Sequence, residues 1–144
     1  MRYWDTSALV PLLVQEAGSE LAQAWLREDA QVVTWALSRV ELAGAIERRA
    51  RQQLISAAER RLLLARLDAL CRGWDEVTAV LHVVPRAAQL LARHALRAAD
   101  AVQLAAALIV SEGDPSSLEF VCLDRQLADA AEREGFVTLT WPSE

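Results

Sequence analysis

Short apolar runs separated by longer helical patterns, with no hairpin signal such as Asn-Gly joining any two of them, constrain this chain more than any other feature. The runs end at Trp4 or cover Gln31 to Thr34, Val80 to Val84, Phe120 to Leu123 and Val137 to Leu139. Strands that connect only through helices run parallel, and a parallel sheet needs cover on both faces. The expected fold class is therefore α/β, a central, mostly parallel sheet of four to five strands between two layers of helices.

The helical segments carry their own start and stop signals. Helices are expected over Ser7 to Val14 and from Ser19, as cap, to about Arg27. Ser38 is positioned to cap a helix from about Arg39 to Gln53, with Ala43, Ile46, Ala50 and Leu54 stepping by three and four. Ser56 starts another, striped by Leu63, Leu67 and Leu70 and ended by Gly73. A helix over Arg86 to His94 follows Pro85. The next, from about Ala99 to Ser111, has only Asp100 and Gln103 as polar side chains before Ser111, so it must be buried nearly all round. The last runs from Arg125 to Arg133 and stops at Gly135.

At 144 residues and 53% hydrophobic composition, the chain reads as a single domain over 1–144. No apolar run reaches the roughly 20 residues that span a bilayer, and the first strand gives way to Asp5-Thr6-Ser7, so a cytosolic protein without membrane contact is expected. Cys71 and Cys122 have no Cys-x-x-Cys partner and read as reduced thiols. His82 and His94 are isolated.

Charge is distributed unevenly. The formal net charge is −5, yet residues 39 to 72 hold eight arginines against Glu41, Glu47, Glu59 and Asp68, a basic band on an acidic body. All fifteen basic residues are arginine, and there is no lysine. Such a band is either a solvated surface or one that meets phosphate.

Four acids, Asp5, Glu41, Asp100 and Asp124, stand in or beside apolar runs. Each could cap a helix or oppose its dipole, which stabilises by about 0.5 to 2 kcal/mol. Together they imply more, because a parallel sheet brings adjacent strand ends close, and two carboxylates about 4 Å apart repel by roughly 4 kcal/mol at an effective dielectric of 20. A divalent cation removes that repulsion. With no cysteine or histidine in the set, Mg²⁺ or Mn²⁺ suits it better than zinc, and phosphate ester hydrolysis is the chemistry an all-carboxylate site supports.

The segments Asp5-Thr-Ser-Ala-Leu-Val, Ser38-Arg-Val-Glu41, Leu96-Arg-Ala-Ala-Asp100-Ala-Val-Gln-Leu-Ala and Leu123-Asp124-Arg-Gln-Leu-Ala-Asp-Ala-Ala-Glu-Arg-Glu-Gly135 resemble, in order and over nearly the whole chain, the signature blocks of PIN-domain nucleases, especially VapC-like toxins of toxin–antitoxin pairs. The resemblance implies a PIN fold and a Mg²⁺- or Mn²⁺-dependent endoribonuclease. Asp5, Asp100 and Asp124 would be metal ligands, and Glu41 a further ligand or the group that orients the attacking water. Thr6 matches a hydroxyl that holds water or a phosphate oxygen. Two departures stand out: Pro11 replaces a lysine common among relatives, and the loop from Gly113 to Ser117 lengthens the spacing between Asp100 and Asp124.

An RNA substrate requires cations near the acids. Arg39, Arg48, Arg49 and Arg51 are candidates for backbone phosphates, with Arg125, beside Asp124, a closer contact. The resemblance further implies a small antitoxin covering the groove between the helices of residues 38 to 73, where Trp35 and Leu54 line the groove or simply pack, and a homodimer. Two other classes compete. A haloacid-type phosphatase needs an acid where Ser7 stands and a lysine the chain lacks. A non-catalytic PIN-like scaffold would bind RNA or protein without cutting, and metal-dependent cleavage separates it from the nuclease.

Overall fold

The computed structural model describes residues 1–143. Five short strands, β1 (Arg2–Trp4), β2 (Val32–Trp35), β3 (Asp75–Val77), β4 (Glu119–Val121) and β5 (Val137–Leu139), form one sheet in the order β3-β2-β1-β4-β5. Every neighbouring pair is parallel, as the absence of hairpin signals requires. Side chains alternate between faces. Tyr3 and Phe120 stack at 5.3 Å on one side, with Leu104, Leu127, Val83 and Leu90 in the same core. Trp4 and Val121 point the other way, into a core with Leu9, Leu42, Ile46 and Leu63.

Helices α1 (Thr6–Leu13), α2 (Ser19–Glu28), α3 (Ser38–Arg51), α4 (Ala57–Gly73), α5 (Val80–Arg93), α6 (Ala98–Val110) and α7 (Arg125–Arg133) make the crossovers. The strand order turns back between β1 and β4: from β1 the chain builds outward through β2 to β3, then returns to the other side of β1 for β4 and β5. That reversal leaves a crevice at the carboxyl ends of β1 and β4, the place where open parallel sheets bind ligands. Asp5 follows β1 and Asp124 comes shortly after β4, so the crevice is acidic.

Two expectations fail on the way to β4. Val80 to Val84 is not a strand but the first half of α5, which carries Pro85 within it and extends to Arg93. Val83, Ala87 and Leu90 are buried while Leu81 is 88% exposed, a helical stripe packed on α6. The β-branched run disguised it. The real third strand is Asp75-Glu76-Val77, paired only with β2 at the sheet edge, where a solvated side tolerates two acids.

Local capping is also partly rearranged. Ser56 forms a full capping box with Glu59. Ser38 does not cap α3, whose N-cap is Leu37; its buried hydroxyl turns inward to Thr34, 2.6 Å away. Gly18, not Ser19, is the N-cap of α2; the Ser19 hydroxyl donates to the Val14 carbonyl. Helix α6 is buried nearly all round, as its composition demands: Ala101 and every residue from Gln103 to Leu108 are inaccessible or nearly so. Trp35 is core, only 3% exposed, whereas Leu54 is 68% exposed.

Candidate functional site

Asp5 is pinned from both sides of the switch point. Its backbone N–H donates to the Val121 carbonyl at 3.0 Å, which ties the end of β1 to β4. It is the N-cap of α1, and its Oδ2 accepts from the Ser7 N–H at 3.1 Å and the Ser7 hydroxyl at 2.5 Å. Ser7 Oγ in turn accepts from the Leu123 N–H at 2.9 Å, so one hydroxyl locks α1, the segment just after β4 and the carboxylate together. Asp5 is only 3% exposed and forms no ion pair among the described residues. Burial pushes its carboxyl up to about 6; the Ser7 hydrogen bonds oppose the rise, and the charges of Glu41 and Asp100 add to it.

Glu41 is reached through a buried amide. Gln103, on α6, is 1% exposed and its Oε1 accepts from the Tyr3 hydroxyl at 2.6 Å. Its Nε2 faces Thr6 Oγ1 at 3.0 Å, Ser38 Oγ at 2.9 Å and Glu41 Oε1 at 3.1 Å. Three acceptors for two amide hydrogens leave no spare donor capacity, and the carboxylate fixes which end of the amide is nitrogen. The nearby Thr6 hydroxyl also helps to hold the Glu41 carboxyl down. Burial raises the Glu41 carboxyl above its ordinary range against these bonds, and the Asp100 charge raises it further.

The other two acids lie across the N-termini of α6 and α7. Asp124 caps α7, with Oδ1 accepting from the Leu127 N–H at 3.1 Å. Asp100, in the first turn of α6, makes no cap bond; Arg97 Nε donates to its Oδ2 at 3.2 Å, and Arg97 NH2 stands 3.7 Å from Asp124 Oδ2. Arg97 bridges the pair while remaining 80% exposed. Burial raises the Asp100 carboxyl; Arg97 pulls it back and Asp124 pushes it up.

The candidate phosphate contacts are scattered. Arg125 opens α7 beside Asp124 and is exposed. Arg48 and Arg51 are exposed and form no ion pair among the described residues; seven and ten residues beyond Glu41, they stand about 10 and 15 Å along α3 from it. Arg39 is held by Glu76 on the sheet edge and Arg49 by Glu16. Both thiols are free; Cys122 lies against Asp5 Oδ2 at 3.5 Å, and burial keeps its thiol strongly protonated. His94 pairs with Glu134 and His82 is exposed. The sequence suggested no site role for Ser7, Arg97 or Gln103, and for Ser38 only that of a helix cap. Only Gln103 carried a signal, as one of two polar side chains in an apolar helix.

Among the described residues, no three acid, histidine or cysteine side chains are drawn close enough to hold an ion as they stand. The four acids nonetheless share one electrostatic field, Asp5 with Glu41 and Asp100, and Asp100 with Asp124. The donor set is all oxygen, its most buried member has no counter-charge, and the carboxyls of Asp5, Glu41 and Asp100 are each raised in part by a neighbouring acid. These features fit a hard divalent cation.

Fold and site together define a parallel α/β domain with an oxygen-donor acidic cleft at its switch point. The chain belongs to the PIN domain family, whose profile matches residues 2–132. It is 37% identical over 141 residues to Ribonuclease VapC45 of Mycobacterium tuberculosis (strain CDC 1551 / Oshkosh), covering 92% of this chain and 90% of the relative. The same figures hold for Ribonuclease VapC49 of Mycobacterium tuberculosis (strain ATCC 25618 / H37Rv). Ribonuclease VapC35 from the same species is 34% identical over 134 residues, again covering 92% of this chain and 90% of the relative.

Proposed function

We propose that this chain is a divalent-cation-dependent endoribonuclease and the toxin of a toxin–antitoxin pair. The observation that carries the reading is Asp5, a carboxylate 3% exposed at the sheet's switch point, with two more acids in its field. The names of the relatives supply the substrate class. Asp5, Asp100 and Asp124 would hold Mg²⁺ or Mn²⁺, with Glu41 a further ligand or the group that orients water. Bound there, the cation supplies offset of the phosphate's negative charge and an acidified water.

The chain's own residues do the rest. Gln103, itself bonded to Thr6, holds Glu41 in one orientation, and its raised affinity for protons suits it to take a proton from water. Attack of water on phosphorus, in line with the 3′ oxygen, breaks the P–O3′ bond; the departing O3′ takes a proton from solvent, which leaves a 5′-phosphate and a 3′-hydroxyl. Arg97 and Arg125 stand at the rim to meet the phosphates flanking the cut; Arg48 and Arg51 meet the strand further out. Arg39 and Arg49 would have to exchange Glu76 and Glu16 for phosphate, which ranks them lower.

Residues 1–144 work as one domain in this reading, acting on RNA in the cytosol. Val40 on α3, Leu54 beyond it and Leu62 on α4 are each more than half exposed, and a small antitoxin lying on that surface would cover them. Val80, Leu81 and Val84 on α5 offer a second apolar surface for a homodimer. Purified protein should cleave total RNA in Mg²⁺ or Mn²⁺ and stop in EDTA, with cuts mapped by their 5′-phosphate ends. Cleavage that continues in EDTA, or after Asp5→Asn and Asp100→Asn, would sink the proposal.

A further inference from the structure

Beside Asp124 the structure carries a cavity of about 420 Å³ with a composition different from that of the acidic cleft. Ser7, Glu16, Gly18, Leu123, Asp124 and Trp141 line it. The Trp141 indole N–H donates to the Leu123 carbonyl at 2.8 Å, so the ring's polar edge is satisfied and its carbon surface is left as a wall. Gly18 lets that wall close up: a Cβ there would lie 2.5 Å from the Leu123 side chain and 3.4 Å from the Trp141 ring. Its backbone is in the right-handed region, so close approach, not turn geometry, calls for glycine.

The polar groups around this cavity are acceptors. Glu16 has one oxygen held by Arg49 at 3.2 Å, and its other oxygen has no hydrogen bond among the described residues. The Ser7 hydroxyl has given its hydrogen to Asp5. No arginine lines the cavity, which makes it a poor phosphate site although it adjoins the acids. A flat ring that presents N–H donors and continues from a phosphate at Asp124 fits instead. Guanine is the base whose edge sets two N–H donors side by side, the arrangement a carboxylate accepts in a bidentate pair.

We propose that this cavity is a base-recognition subsite, in which Trp141 and Leu123 cover the ring of a guanine next to the scissile phosphate and Glu16 accepts its N–H edge. The proposal rests on the nuclease reading for its substrate, and its test is chosen to separate the two. Guanosine 5′-monophosphate and uridine 5′-monophosphate are titrated into the full chain in EDTA while the Trp141 indole N–H is followed by NMR, assigned through Trp141→Phe. Guanosine monophosphate should move that signal and bind roughly 10-fold or more tightly than uridine monophosphate, and Glu16→Gln and Trp141→Ala should each abolish the difference. Both positions are at the surface or partly so, and a circular-dichroism melt confirms that each variant is folded. In parallel, metal-dependent cleavage of oligonucleotides with guanosine moved stepwise past the cut should show a preference at one position that the same variants lose. Equal affinity for the two nucleotides, or a preference that survives both substitutions, overturns the subsite even if RNA is cleaved. Guanosine selectivity without any metal-dependent cleavage upholds the subsite and overturns the nuclease.

Discussion

At the scale of single residues the site is held in tension, and Asp5 shows it most clearly. Its carboxyl titrates at about 6 in the folded chain against an ordinary 3.8, so ionisation is harder in the native state than in the unfolded one. Below about pH 4 both states are protonated and nothing is lost; between about pH 4 and 6 the unfolded chain ionises while the folded one resists, so stability falls by up to about 3 kcal/mol, a loss complete once pH has risen through 6. Asp5→Asn keeps an oxygen for Ser7 and removes the charge. In EDTA it should be more stable than wild type by about 1 to 3 kcal/mol at pH 8, a gain that vanishes near pH 4 in urea titrations. An equal gain at both pH values would contradict the origin given for it. Gln103 predicts the opposite sign: Gln103→Leu leaves the Tyr3 hydroxyl and Glu41 without their partner, and should cost about 2 to 3 kcal/mol by the same measurement. Asp5 was legible in the sequence because an acid ends an apolar run. The Gln103 network was not, because Tyr3, Thr6, Ser38 and Glu41 meet that amide only after three crossovers have been made.

At the scale of elements, the N-termini of α6 and α7 converge and Arg97 occupies the gap between their acids. Its charge already offsets part of the repulsion that a metal would offset. Arg97→Gln should therefore tighten Mn²⁺ binding roughly 2- to 5-fold while raising KM for RNA, because in the proposed function the same guanidinium would be the nearest phosphate contact. Weaker Mn²⁺ binding in that variant would assign Arg97 to holding the acids in place instead. Most elements were readable from period, caps and glycine stops: α3, α4, α6 and α7 lie within one or two residues of the pattern. The exception is instructive. Val80, Val83 and Val84 have strand chemistry, yet Val83, Ala87 and Leu90 form one helical stripe against α6, and packing outweighed local preference. The edge strand Asp75–Val77 was invisible because it has three residues and pairs on one side only, so it needs no apolar run.

At the scale of the molecule, the proposed function asks an acidic cleft and a basic band to serve the same polyanion. Arg48 and Arg51 lie beyond the cleft on α3, where in the proposed function their charge would attract RNA without competing for the cation. Replacing both with alanine should lower the slope of log affinity against log salt by about 1.4, two single-strand phosphate contacts, and an unchanged slope would return them to the solvated surface. The parallel order was legible from missing hairpins, but the position of the reversal between β1 and β4 was not, since no residue type marks which side of β1 a strand will join. That reversal is what gathers Asp5 and Asp124 into one crevice with the starts of α3 and α6. Whether the crevice is a cation site is settled most directly by isothermal titration of Mn²⁺ into the wild-type chain, Asp5→Asn and Asp100→Asn. Wild type should bind, with each substitution weakening the affinity by roughly 10-fold or more; a wild-type chain that takes up no Mn²⁺, or three superimposable isotherms, would contradict it.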